Sequence, residues 1–86
     1  MYKIRFSKEV GKDFRNLPKT VIKRVIIASE DLAENPQPNG CKKLRGTKEN
    51  LYRVRVGDYR IIYVIEETIR IVTVRNVRHR KDIYRL

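Results

Sequence analysis

Three arginines are the groups in this 86-residue sequence with the clearest chemical use: Arg53 and Arg55, one residue apart, and Arg60, just beyond Gly57-Asp58. In Tyr52-Arg53-Val54-Arg55-Val56 apolar and basic residues alternate. That alternation sends both guanidinium groups to one face of a strand and the apolar side chains to the other. A two-residue turn at Gly57-Asp58 opposes Val56 to Tyr59 and Arg55 to Arg60. Like charges placed opposite one another cost a sheet a few tenths to about 1 kcal/mol. The cluster therefore implies an anion that neutralises it. A phosphodiester is the simplest, because the planar guanidinium fork matches paired phosphate oxygens.

A second group follows in Arg78-His79-Arg80-Lys81, with Tyr84 five residues after His79. Cations beside an aromatic ring supply what single-stranded RNA needs, charge for phosphates and a surface on which unpaired bases stack. His79 is the one histidine, the residue type that exchanges protons near neutral pH. Cys41 is the one cysteine, so an internal disulfide is excluded, and one cysteine with one histidine cannot complete a structural zinc site. No cofactor and no metal are expected. Cys41 itself reads as a packing residue.

The overall charge agrees with a polyanion partner. Twenty-one Lys and Arg against ten Asp and Glu give a net charge of +11. Residues 1–41 carry +3 and residues 42–86 carry +8, and nine of the twelve arginines lie in that second part. Solubility alone would be served by interspersed signs. With 41% hydrophobic and 36% charged residues the chain suits a folded domain, and its length allows one domain over residues 1–86. A separate cofactor-binding fold has no room. Apolar runs such as Val25-Ile26-Ile27-Ala28 fall far short of the roughly 20 residues that span a bilayer. Met1-Tyr2-Lys3-Ile4-Arg5 shows no export signal, so a cytoplasmic location is expected.

The elements that must position these groups can be read from periodicity. Residues 2–6 alternate and predict a strand. Ser7 is a helix N-cap, with Val10, Phe14 and Leu17 forming one stripe behind it. Pro18 opens a second helix, whose period holds to about Glu34 before Asn35-Pro36-Gln37-Pro38-Asn39-Gly40 ends it. Residues 41–46 read as a linking segment. The period then switches to two, and 51–56, 59–65 and 69–76 predict an antiparallel meander, with the middle strand apolar on both faces except at Arg60. The expected fold is α+β, of order β-α-α-β-β-β: a helical hairpin on one face of a small antiparallel sheet, the other face left to solvent or a ligand.

The segments Lys43-Leu44-Arg45-Gly46, 51–63 and 77–84 together resemble the RelE/ParE toxins of type II toxin–antitoxin pairs, over nearly the whole chain. The resemblance implies a microbial RNase-like fold shut down by a cognate, RelB-like antitoxin in a hetero-oligomer. For the RelE branch it implies a ribosome-dependent endonuclease that enters the A site and cuts mRNA, the 2′-OH attacking phosphorus to leave a 2′,3′-cyclic phosphate. For the ParE branch it implies a non-catalytic inhibitor of DNA gyrase. Carried over by position, Arg60 matches a phosphate-binding arginine, Arg78 a basic residue near the leaving group, and Tyr84 a tyrosine that orients the base. Arg45, Arg53, Arg55, Arg80 and Lys81 are the expected substrate contacts. Where RelE has a pair of lysines this chain has Arg53 and Arg55, which do not give up protons. The general base then passes to His79 first and to Tyr84 or Lys81 second, unless the ribosome assists. A simple nucleic-acid-binding module without toxicity is a third reading.

Overall fold

The computed structural model describes residues 1–46 and 48–82. Strand β1 (Lys3–Phe6) leads through helices α1 (Lys8–Arg15) and α2 (Lys19–Asp31) to a two-residue strand β2 (Lys42–Lys43). The meander β3 (Leu51–Val56), β4 (Tyr59–Glu66) and β5 (Ile71–His79) follows. The five strands form one sheet in the order β1-β5-β4-β3-β2. The β3–β4 and β4–β5 pairings are antiparallel, as the short connections require, while β1 runs parallel to β5. The sheet is therefore mixed rather than wholly antiparallel, because the helical hairpin carries the chain back across the sheet before β5 is reached.

Both helices lie on one face. Val10 of α1 and Val25 and Leu32 at α2 are buried against Tyr52, Ile61, Tyr63, Ile65, Val72, Val74 and Val77. The Ser7 hydroxyl accepts the Val10 N–H and donates to the Arg75 carbonyl, so the α1 cap also ties the helix to β5. β4 is the middle strand, and on the face away from the helices its Ile62 and Val64 are only 5% and 8% exposed. This accounts for its nearly unbroken apolar sequence.

One irregularity decides which side chains the end of β5 sends to each face. Ile62 pairs with Asn76 but Tyr63 pairs with Val74, so Arg75 is an extra residue on β5. The bulge resets the alternation: Val74 and Val77, three residues apart, both enter the core, and Arg78 emerges on the opposite face as the partner of Arg60. The bulged residue binds Glu49 of the β2–β3 loop at 2.6 Å.

Candidate functional site

The β3–β4 hairpin sets the site. Val56 faces Tyr59 and Arg55 faces Arg60 across the turn, as the sequence spacing predicts. Gly57 takes a φ of +60, which suits glycine in so tight a connection. Arg55, Arg60 and Arg78 are successive partners across β3, β4 and β5, a lateral row of three cationic positions on the helix-free face. Arg53 lies two residues from Arg55 on the same side, opposite Lys42 of β2.

A cleft of about 620 Å³ is lined by Asn39, Gly40, Lys42, Arg53, Arg55, Gly57 and Arg60. The linker that supplies its upper wall is pinned by two tyrosines of the sheet. The Tyr63 hydroxyl donates to the Pro36 carbonyl at 2.7 Å, and Gln37 donates its amide to the Tyr52 hydroxyl at 2.9 Å. The two rings stack at 5.9 Å. Burial, with the Cys41 thiol beside it, pushes the Tyr63 hydroxyl well above the usual tyrosine value, so it stays a neutral donor. Cys41 is half-buried against the core, in keeping with a packing role. Arg55 donates from Nε to the Gly57 carbonyl at 3.1 Å, which holds its guanidinium over the turn.

Two cations at this site escape a sequence reading. Lys42 reads as part of a linker, yet β2 pairs it with Arg53. Beside the cleft, Arg24 of α2 brings its guanidinium against the turn, where a Cβ added at Gly57 would stand 3.2 Å from Nη1. The outward alternation of Arg53 would have pointed to Lys42 had the β2 pairing been visible. No local signal announces Arg24.

The other expected site residues lie apart from the cleft. Arg78 has its backbone in the row, but its Nη1 donates to Asp13 Oδ1 of α1 at 2.7 Å. It lines a smaller cavity of about 270 Å³ with Asp13, Tyr59, His79 and Asp82 among others. His79 sits beyond Val77 on the helix side, its ring edge-on to Tyr59 at 5.2 Å. Its Nδ1 accepts the Lys81 backbone N–H at 3.2 Å, which leaves the proton of a neutral ring on Nε2. Arg80 is exposed, with Nε 3.9 Å from Asp58, Lys81 is exposed in a turn, and Arg45 is exposed in the loop after β2. Tyr84 lies outside the described residues.

Among the described residues no group of three His, Cys, Asp or Glu side chains is placed to hold a metal ion. No described helix is long and apolar enough to cross a membrane. What the cleft can do chemically is grip an anion with several guanidinium groups and one ammonium group at once.

Comparison with known proteins agrees with this architecture. The profile of the ParE toxin of type II toxin–antitoxin systems matches residues 4–84. Toxin RelE3 of Methanocaldococcus jannaschii is 38% identical over 87 residues, covering 95% of this chain and 94% of its own. Toxin RelG of Mycobacterium tuberculosis is 34% identical over 85 residues, covering 98% and 97%. The toxin fold in the archaeal RelE–RelB complex from Pyrococcus horikoshii superposes with a TM-score of 0.79 at 31% identity, covering 92% of this chain and 94% of that one. With a profile match and full-length relatives added to the fold and its cationic face, the chain belongs to the RelE/ParE superfamily and is a toxin of a type II toxin–antitoxin system.

Proposed function

We propose that this toxin is a metal-independent, ribosome-dependent endoribonuclease that cuts mRNA in the A site by attack of a ribose 2′-OH on the adjacent phosphorus. The observation that carries the reading is the cleft in which Arg53, Arg55 and Arg60 meet Lys42 from three strands. In the phosphorane negative charge builds on the non-bridging oxygens. Guanidinium groups held in place before the reaction stabilise that charge without reorganising, commonly the largest catalytic contribution. Arg60 grips the phosphate, Arg53 and Arg55 flank it, and Arg78 meets the leaving 5′-oxygen.

The guanidinium groups that line the cleft do not give up protons, so proton transfer is shared with groups the ribosome presents. Ribosome dependence follows from that shortage of an internal base. The partner of the free toxin is a RelB-like antitoxin in a hetero-oligomer, a reading supported by the toxin–antitoxin complex among its structural neighbours. The site of action is the cytoplasm, where ribosomes and mRNA are.

The test is a single-turnover assay on programmed ribosomes in the presence of EDTA. Cleavage that leaves a cyclic phosphate is expected, and loss in an Arg60→Ala/Arg78→Ala double variant. No cleavage by the wild type sinks the reading. The profile match to the ParE toxin favours one alternative, a non-catalytic inhibitor of DNA gyrase. Inhibition of gyrase supercoiling by the purified toxin, with ribosomes left intact, would establish it.

A further inference from the structure

The position of Arg78 is at odds with its partners. Its backbone stands in register with Arg60, on the side where Arg55 and Arg60 emerge. Its guanidinium is nevertheless drawn to the edge of β5 by Asp13, from 65 residues away in sequence. β1 accompanies β5 only as far as Val74, and beyond it α1 lies along the open edge. There Asp13 Oδ2 stands in for a missing strand, accepting the Val77 N–H at 2.9 Å and the Asn76 amide at 3.4 Å. Oδ1 takes Arg78 at 2.7 Å.

We propose that Asp13 is an internal counter-anion that parks Arg78 outside the cleft in the free protein, and that an RNA phosphate completes the row by taking Arg78 from it. The inference rests on the reading of the cleft as an RNA site. Three features support the exchange. The pair is only partly shielded, with Arg78 30% and Asp13 17% exposed, so water and salt weaken its hold. Departure of Arg78 leaves the carboxylate with its Val77 and Asn76 donors, so no buried charge is stranded. Parking also removes one of three like charges from a lateral row that has no anion of its own. Asp13 thereby acts as a positioning residue that sets how many cations the empty cleft presents.

Binding of fluorescein-labelled hexauridylate, followed by anisotropy from 20 to 200 mM NaCl, tests this without any cleavage step. Asp13→Asn retains an acceptor for Val77 but releases Arg78. It should bind about two- to fivefold more tightly than wild type at 50 mM salt. Because Arg78 reaches the phosphate in both proteins, the slopes of log affinity against log salt should differ by less than one phosphate contact on a single strand, about 0.7. In an Arg78→Ala background the same substitution should bring no gain beyond that of Asp31→Asn, which removes an exposed carboxylate from α2. A gain that survives loss of Arg78, or one no larger than with Asp31→Asn, overturns the proposal.

Wild type that does not bind at 20 mM salt overturns both the proposal and the RNA reading of the cleft. The expected binding pattern without ribosomal cleavage overturns only the enzymatic reading. Should Asp13→Asn fail to fold, the side-chain nitrogen resonances of Arg78 in the wild type decide. They shift as hexauridylate is added if Arg78 is exchanged, and stay fixed if it is not.

Discussion

Replacing Arg60 by glutamine should make the protein more stable and less active. Arg60 stands between Arg55 and Arg78 in a row of registered partners. The charge of Arg78 is already met by Asp13 at 2.7 Å, so only Arg55 opposes Arg60 in full. One directly opposed like pair costs about 0.5 kcal/mol, the middle of the range for cross-strand pairs. Against this stands the contact of Arg60 Nη1 with the Tyr59 carbonyl, long at 3.3 Å. The net gain of about 0.5 kcal/mol corresponds to a rise in Tm of about 2–4 °C for a domain of this size. Because the repulsion is between partly exposed charges, the gain should vanish at 1 M salt, where the Debye length is about 3 Å. Cleavage on programmed ribosomes should fall about 10²–10³-fold, the loss expected when one preorganised charge donor is removed. Thermal unfolding of both proteins at 20 mM and 1 M NaCl measures the first part. A lower Tm for the variant at low salt, or a gain that persists at 1 M, would refute the claim that cations converge on this face.

Lys42→Arg keeps the charge of the cleft, so RNA affinity in the anisotropy assay should stay within about twofold of wild type, whereas Lys42→Ala removes one cation and should make the salt slope shallower by about 0.7. Gly57→Ala forces a side chain into φ +60 and against the Arg24 guanidinium. It should lower Tm by about 4–8 °C, a cost of about 1 kcal/mol, and Gly57→Asn should lower it less because asparagine tolerates this conformation. Tyr63 bears on alkaline stability. Its folded-state ionisation is raised above the usual 10.0, so the neutral hydroxyl's contribution is intact below pH 10 and is lost as pH climbs beyond it. Urea midpoints from pH 7 to 11 should show Tyr63→Phe about 1 kcal/mol less stable at neutrality, for want of the Pro36 bond, with the deficit shrinking above pH 10.

What the sequence discloses about the site is what lies close together along the chain. The Arg55–Arg60 opposition follows from a two-residue turn between alternating runs, and the burial of β4 from its apolar residues on both faces. The pairing of β1 with β5 is a contact between chain segments more than sixty residues apart, and no local period encodes it. Lys42 and Lys43 are too few to show alternation, so β2 and its contribution to the cleft stay hidden. Arg78 is identifiable as a basic residue after the meander, but its tie to Asp13 depends on where α1 crosses the edge of β5. His79 illustrates the reverse: a residue type suited to proton transfer whose Nδ1 is already engaged by a turn.

The extra residue at Arg75 makes the register of one strand a determinant of chemistry. Pair the same residues in unbroken alternation, without the bulge, and every side chain of β5 beyond Arg75 exchanges sides: Arg78 would be driven among the helices and Val77 into water. Composition, net charge and the basic run are untouched by such a slip, while the cationic row shrinks to two. Keeping Arg78 beside Arg60 therefore depends on where the strand skips one pairing as much as on which residues it carries.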